Sequence, residues 1–326
     1  MAHVFTDLPL EQLHEYRPVL PEPDDLDAFW ADTLAEARAA ATAPTLAPVA
    51  APVRALTVHD MTFTGFGGDE IRAWVVRPHG AEPLPAVVEF IGYGGGRGLP
   101  GERVNWAAAG YVQVVMDTRG QGSGWSHGDT PDPHGSAAAF PGVMTRGIRD
   151  PRDYYYRRLI TDAVRLVDEV RAMEGVDATR IAVTGVSQGG GLALAAAALS
   201  GDAVAAVLPD VPFLCDFPKA IVRTPLPPFT EITRYLSVHR DDTAAVLRTL
   251  SYIDGAVLAR RISAPAYFSV GLMDDIVLPS GVFAAFHNVA SEDAAIEVYP
   301  YNGHEGGGYR HFLRQVAWLD ARFGLG

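Results

Sequence analysis

The chain has 326 residues, 48% of them hydrophobic and 20% charged, a composition that suits a globular protein with a large core and excludes a disordered or fibrous one. Its formal net charge of −13 would repel phosphate backbones and anionic lipid heads, and no Lys/Arg cluster offsets it, so neither nucleic acid nor a membrane surface is an expected partner. The single cysteine, Cys215, cannot close an intrachain disulfide; it reads as a buried apolar residue and is compatible with a cytoplasmic location.

Residues 1–7 lack a basic stretch followed by an apolar core, and no later apolar run approaches twenty residues, so neither export nor a membrane span is expected. Leu26, Phe29, Trp30, Leu34 and Ala37 share one helical face, which predicts a helix over 24–41 outside the main sheet. The Pro-rich stretch 44–53 reads as a connection. Two β-rich patches, 55–65 and 70–77, flank Gly67-Gly68-Asp69 and predict a hairpin. Apolar runs at 86–91, 112–116, 181–184 and 205–208 then alternate with helical patterns, the signature of βα units and a parallel sheet.

The runs 266–270 and 295–299 continue that sheet, and a last helix is expected over about 308–323. Between 213 and 260 the strand rhythm lapses into proline-rich and helix-like pieces, with a loop at 225–228, which predicts an insertion above the strand ends. The expected architecture is a single α/β-hydrolase domain over 1–326, with an N-terminal extension at 1–54 and the insertion at 213–260.

Within this frame Gly185-Val186-Ser187-Gln188-Gly189 follows one strand and opens a helix. A serine at such a sharp turn is forced to present its hydroxyl above the sheet, which makes Ser187 a candidate nucleophile. A serine hydroxyl needs an imidazole to take its proton and a carboxylate to orient that imidazole. In chain order the acid is expected after the penultimate strand and the histidine after the last; Asp274 and His304 stand there. Asp275 has the same chemistry next door, and Asp210 follows an earlier strand. His287 and His311 fall within expected helices, where a packed or solvent-facing role is favoured.

An oxyanion needs two donors, and the N–H groups of Gln188 and Tyr93 are the candidates, the latter in Gly92-Tyr93-Gly94-Gly95-Gly96-Arg97-Gly98. That glycine run lacks both the dinucleotide fingerprint and the lysine of a phosphate loop, so nucleotide binding is not expected. His127, Asp129, Asp132 and His134 could ligate a metal, but they lack helical ligand spacing and read as a surface loop. Asp117, Arg119 and Gln121 sit at a strand end, where bracing of loops is favoured over anion binding.

Taken together, the glycine run at 92–98, Asp117 to Trp125 with its Arg119-Gly120-Gln121 tripeptide, Gly185 to Gly190, Gly271-Leu272-Met273-Asp274 and Gly303-His304-Glu305 resemble the acetyl xylan esterase / cephalosporin C deacetylase family, carbohydrate esterase family seven. The likeness runs from Phe29-Trp30 through Asp150 to Arg158 and on to the His-Glu loop. It implies a serine esterase that removes acetyl groups from xylo-oligosaccharides and cephalosporin C, with the triad and oxyanion donors named above and no metal or organic cofactor. It also implies a homohexamer, a dimer of trimers, whose inward-facing sites favour small acetylated esters, and a structural role for Arg119-Gly120-Gln121. Leu278 stands where that family often has proline. The rival readings are a prolyl oligopeptidase-type peptidase, which shares the serine turn and triad order, and a non-catalytic carbohydrate-binding protein on the same fold.

Overall fold

The computed structural model describes residues 7–80, 82–135 and 137–325; the leader reading of residues 1–6 lies outside them. In chain order its elements are α1 (Leu10–Glu15), α2 (Leu26–Ala39), β1 (Thr45–Pro48), β2 (Leu56–Thr64), β3 (Glu70–Pro78), β4 (Leu84–Phe90), α3 (Asn105–Ala108) and β5 (Val112–Met116). There follow α4 (Tyr155–Ala172), β6 (Val176–Val186), α5 (Gln188–Ser200), β7 (Ala206–Asp210), α6 (Phe217–Arg223), α7 (Phe229–Val238), α8 (Thr243–Ser251) and α9 (Gly255–Leu258). The chain ends with β8 (Ala266–Gly271), α10 (Pro279–Asn288), β9 (Ala294–Tyr299) and α11 (Gly308–Phe323). No helix among the described residues is long and apolar enough to cross a membrane.

All the strands join one nine-stranded sheet in the order β1-β2-β3-β5-β4-β6-β7-β8-β9. β1, β2 and β3 are antiparallel, β3 pairs antiparallel with β5, and from β5 to β9 every pair is parallel. The sequence therefore predicts both the opening hairpin and the parallel body. It misses β1, because Thr45–Pro48 is exposed at every residue and ends in proline. A strand with no buried face leaves no alternation to read, and proline is tolerated there because the strand lies at the sheet edge.

Every residue of β5 and β8 is buried, β4 and β7 are buried over most of their apolar residues, and β6 is buried from Ile181 to Gly185, as strands covered by helices on both faces must be. α5 is buried along most of its Ala/Leu-rich length and packs on α4, β6 and β7. The stretch 213–260 is helical, carrying α6 to α9 between β7 and β8. α2 covers α4: Arg157 of α4 bonds the Thr33 hydroxyl at 3.0 Å, and Trp30 reaches the Tyr252 carbonyl at 2.9 Å.

Strand register decides which loops meet. Phe90 pairs with Gly185, so the loops that follow β4 and β6 leave the sheet side by side. Gly271 pairs with Tyr299, so the loops after β8 and β9 do the same, and β7 alone separates β6 from β8. Parallel strands end on one edge, and that edge is where such sheets hold their ligands.

Candidate active site

Ser187 links β6 to α5 with φ 59° and ψ −119°, a conformation that side-chain-bearing residues adopt only when the surroundings impose it. Those surroundings can be named. The Ser187 N–H donates to the Asp210 carbonyl at 2.9 Å, and its own carbonyl accepts the N–H groups of Gly191 at 3.0 Å and Phe213 at 2.9 Å. A Cβ at Gly185 would strike the backbone of Gly189, and one at Gly189 would strike the Phe90 carbonyl. Glycine at both ends of the pentapeptide is thus a requirement of close backbone approach.

Asp274 is fully buried and faces His304, Oδ2 to Nδ1 at 2.8 Å. Its other oxygen accepts the N–H groups of Ile276 and Val277, each at 2.9 Å, which holds the carboxylate in one orientation. The two loops are tied through their backbones, with the Met273 N–H on the Asn302 carbonyl at 3.0 Å. Glu305 pins the histidine loop, accepting from Asn302 Nδ2 at 2.6 Å and the Gly303 N–H at 3.0 Å. The His304 side chain remains 27% exposed. Leu278 has φ −60°, a value that proline also adopts.

A cavity of about 610 Å³ opens at this edge, lined among others by Tyr93, Trp125, Ser187, Pro228, Ile276 and His304. The lining from Pro227 and Pro228 comes from the 213–260 insertion. An imidazole held by a buried carboxylate, a serine hydroxyl and an apolar wall are what acyl transfer from oxygen to oxygen uses.

Gln188 opens α5, and its N–H belongs to the first-turn donors that a helix leaves unpaired. The Tyr93 N–H, in the loop after β4, has no hydrogen-bond partner among the described residues. Side chains hold the two loops together. Gln188 Nε2 donates to the Ile91 carbonyl at 3.1 Å, while its Oε1 accepts from Tyr156 at 2.9 Å and Gln121 Nε2 at 3.0 Å. Gln121 Oε1 in turn accepts the Gly94 N–H at 2.6 Å. The sequence offers Gln188 only as a backbone donor; that its side chain also braces the opposite loop emerges from a contact 67 residues away.

Asp117 braces the same loop, accepting the N–H groups of Arg97 and Thr118 on one oxygen and those of Asp129 and Thr130 on the other. Arg119 lies beneath, fully buried, and forks onto Asp162 at 2.5 and 2.8 Å while reaching Asp69 at 2.9 Å. Burial works against the Arg119 charge, but Asp162 and Asp69 together outweigh it and hold the guanidinium above the ordinary arginine range. Both residues therefore act inside the protein as loop braces.

The remaining candidates go elsewhere. Asp210 contacts His311 Nε2 at 3.1 Å and accepts from Gln315, and the acid contact of His304 is Asp274, not Asp275. His287 bonds the Tyr16 carbonyl at 2.8 Å. Cys215 is buried, and burial pushes its thiol well up. In the 127–134 loop, Asp132 binds Arg158, His134 binds Asp69 at 2.7 Å, and His127 faces Asp129 at 3.4 Å. Glu231, which the sequence does not single out, proves to contact the Tyr93 side chain at 2.7 Å.

Known proteins share this chain's sequence family and its fold. The family model described as acetyl xylan esterase (AXE1) matches residues 2–322. The solved acetyl xylan esterase from Paenibacillus sp. R4 superposes with a TM-score of 0.90 at 37% identity, over 96% of this chain and 99% of that one. Acetyl xylan esterase 1 from Thermoanaerobacterium sp. JW/SL YS485 gives 0.87 at 35% identity, with the same two coverages of 96% and 99%. Acetyl esterase Axe7A of Xylanibacter ruminicola is 22% identical over 93% of this chain and 68% of its own length.

Proposed function

Since the chain belongs to the acetyl xylan esterase (AXE1) family and is a carboxylic ester hydrolase on an α/β-hydrolase fold, we propose that it is a serine esterase that removes acetyl groups from short acetylated xylo-oligosaccharides, using Ser187, Asp274 and His304. The observation that carries this reading is one cavity lined by both the strained serine and the histidine that Asp274 holds. Cephalosporin C-like acetyl esters belong to the same proposal, because the scissile acetyl group is chemically alike.

In the proposed cycle His304 Nε2 takes the Ser187 proton as Oγ attacks the acetyl carbonyl. The N–H groups of Tyr93 and Gln188 hold the oxyanion, and Asp274 steadies the imidazolium. The C–O bond to the sugar breaks, and the departing oxygen takes the proton from His304. Water then gives a proton to His304 and attacks the acetyl-serine; collapse of the second tetrahedral adduct releases acetate and returns the proton to Ser187. The apolar wall formed by Trp125, Ile276 and Pro228 accepts a small acyl group and shields these charges from water.

A homohexamer built as a dimer of trimers rests on the sequence resemblance and is tested by light scattering. A cytoplasmic location rests on the lone cysteine and is tested by cell fractionation. For the reaction itself, Ser187→Ala is expected to lower acetate release from acetylated xylobiose by about 10⁴-fold or more, with an unchanged melting temperature, because triad members act as a unit. Near-normal release by that variant sinks the nucleophile assignment. Faster cleavage of a proline p-nitroanilide than of p-nitrophenyl acetate by the unaltered enzyme would instead identify a peptidase.

A further inference from the structure

The proposed oxyanion donor Tyr93 is gripped at two points. Its carbonyl accepts the Trp125 indole N–H at 2.8 Å, and its hydroxyl donates to Glu231 Oε1 at 2.7 Å while accepting the Val143 N–H at 2.8 Å. Glu231 Oε2 accepts the Met144 N–H at 3.1 Å. Glu231 is the third residue of α7, three positions after Pro228, which lines the cavity, and it is only 6% exposed. The 140s loop lies against it so closely that a Cβ at Gly142 would strike its carboxylate.

A carboxylate removed from water is costly unless its oxygens are satisfied. Burial pushes the Glu231 pKa up, and the Tyr93 hydroxyl, the Met144 N–H and the Arg146 charge oppose that rise. Phenylalanine at 93 with an apolar residue at 231 could fill the same volume without a buried acid. The polar pair adds direction: it fixes the end of a rigid aromatic side chain whose other end is the residue offering its N–H to the cavity.

We propose that Glu231 is a positioning residue for ester cleavage: through the Tyr93 hydroxyl it sets the direction and distance of the Tyr93 N–H from the oxyanion formed at Ser187. The inference rests on the serine esterase reading above. The insertion then has a part in the chemistry as well as in the cavity roof, since α7 couples the roof to the oxyanion loop.

The test uses the full-length enzyme with p-nitrophenyl acetate, comparing Glu231→Ala, Glu231→Gln, Tyr93→Phe and the Glu231→Ala/Tyr93→Phe double variant, with phenylboronic acid as a probe that forms a tetrahedral adduct on a nucleophilic serine. Glu231→Ala and Tyr93→Phe are each expected to lower kcat by roughly 10- to 100-fold with KM within about threefold, since oxyanion stabilisation acts in the transition state. Boronate affinity should fall by a similar factor, and the double variant should be no worse than the worse single one, since both cut the same link. Glu231→Gln should recover part of kcat, because its amide oxygen can still accept the Tyr93 hydroxyl.

Unchanged kcat and boronate affinity in Tyr93→Phe, or losses confined to melting temperature or KM, overturn the proposal. So does a double variant in which the two losses multiply. If Glu231→Ala does not fold, Tyr93→Phe keeps the ring volume and reads the same contact. Full activity of Ser187→Ala would instead overturn the esterase reading beneath it, so the two failures are told apart.

Discussion

Two histidine–aspartate pairs stand at the same edge of the sheet, and they differ in exposure and in what surrounds the ring. His304 sits on a loop after β9, meets Asp274 through Nδ1, and lines the same cavity as Ser187. His311 sits within α11, is 1% exposed, and has Nδ1 on the Tyr299 hydroxyl at 3.1 Å, while Nε2 lies 3.1 Å from the Asp210 carboxylate, so neither nitrogen faces open space. An imidazole can move protons for a substrate only if one nitrogen faces the substrate and the ring has room to shuttle. The second pair meets neither condition, and it acts as a clamp between β7 and the last helix.

The comparison is tested most severely by replacing each carboxylate with its amide. Asp274→Asn is expected to lower kcat for p-nitrophenyl acetate by roughly 10³- to 10⁴-fold, because the amide no longer selects the tautomer that leaves Nε2 able to take the serine proton. Asp210→Asn keeps its main-chain carbonyl on Ser187, so steady-state kinetics should show a change in kcat below about tenfold while thermal unfolding shows a loss of about 1–3 kcal/mol from the disturbed His311 and Gln315 contacts. Equal kinetic losses in the two variants would erase the distinction between a working pair and a clamp.

Another buried carboxylate, Asp254, sharpens the contrast because its partners are backbone N–H groups of Asp216, Phe217 and Ala256 and no imidazole. Burial, only partly opposed by those bonds, raises its pKa from 3.8 to about 6. Between those values the folded chain binds more protons than the unfolded chain, so this residue's contribution to stability declines as pH rises from 3.8 towards about 6 and is level above that. In denaturant titrations across that window Asp254→Asn should lose this decline; an unaltered slope would mean the carboxyl titrates normally. At the small end, Arg38→Ala breaks an exposed pair with Asp168 and should change stability by less than about 1 kcal/mol in the same titrations.

Much of this arrangement is legible in the sequence. The serine turn could be read because a strand, two obligatory glycines and a helix are all local. Asp274 and His304 could be read because each follows its strand within a few residues, and parallel strands bring such loops to one edge. Helix α11, expected over about 308–323, begins and ends at Gly308–Phe323, since glycines flank it. β1 could not be read, because an exposed edge strand has no buried face to impose a pattern.

What sequence alone determined, then, was the order of the elements and which side chains stand as the proposed reacting groups, because periodicity, glycine and chain order are properties of neighbouring residues. Tertiary structure alone decided which carboxylate meets which ring, that Gln121 and Gln188 lace together the loops after β4 and β6, and that Glu231 holds Tyr93 from 138 residues away. Those choices depend on side chains far apart in the chain finding partners in a water-poor interior, where a hydrogen bond unmade is costly and only the folded geometry determines which ones can be made.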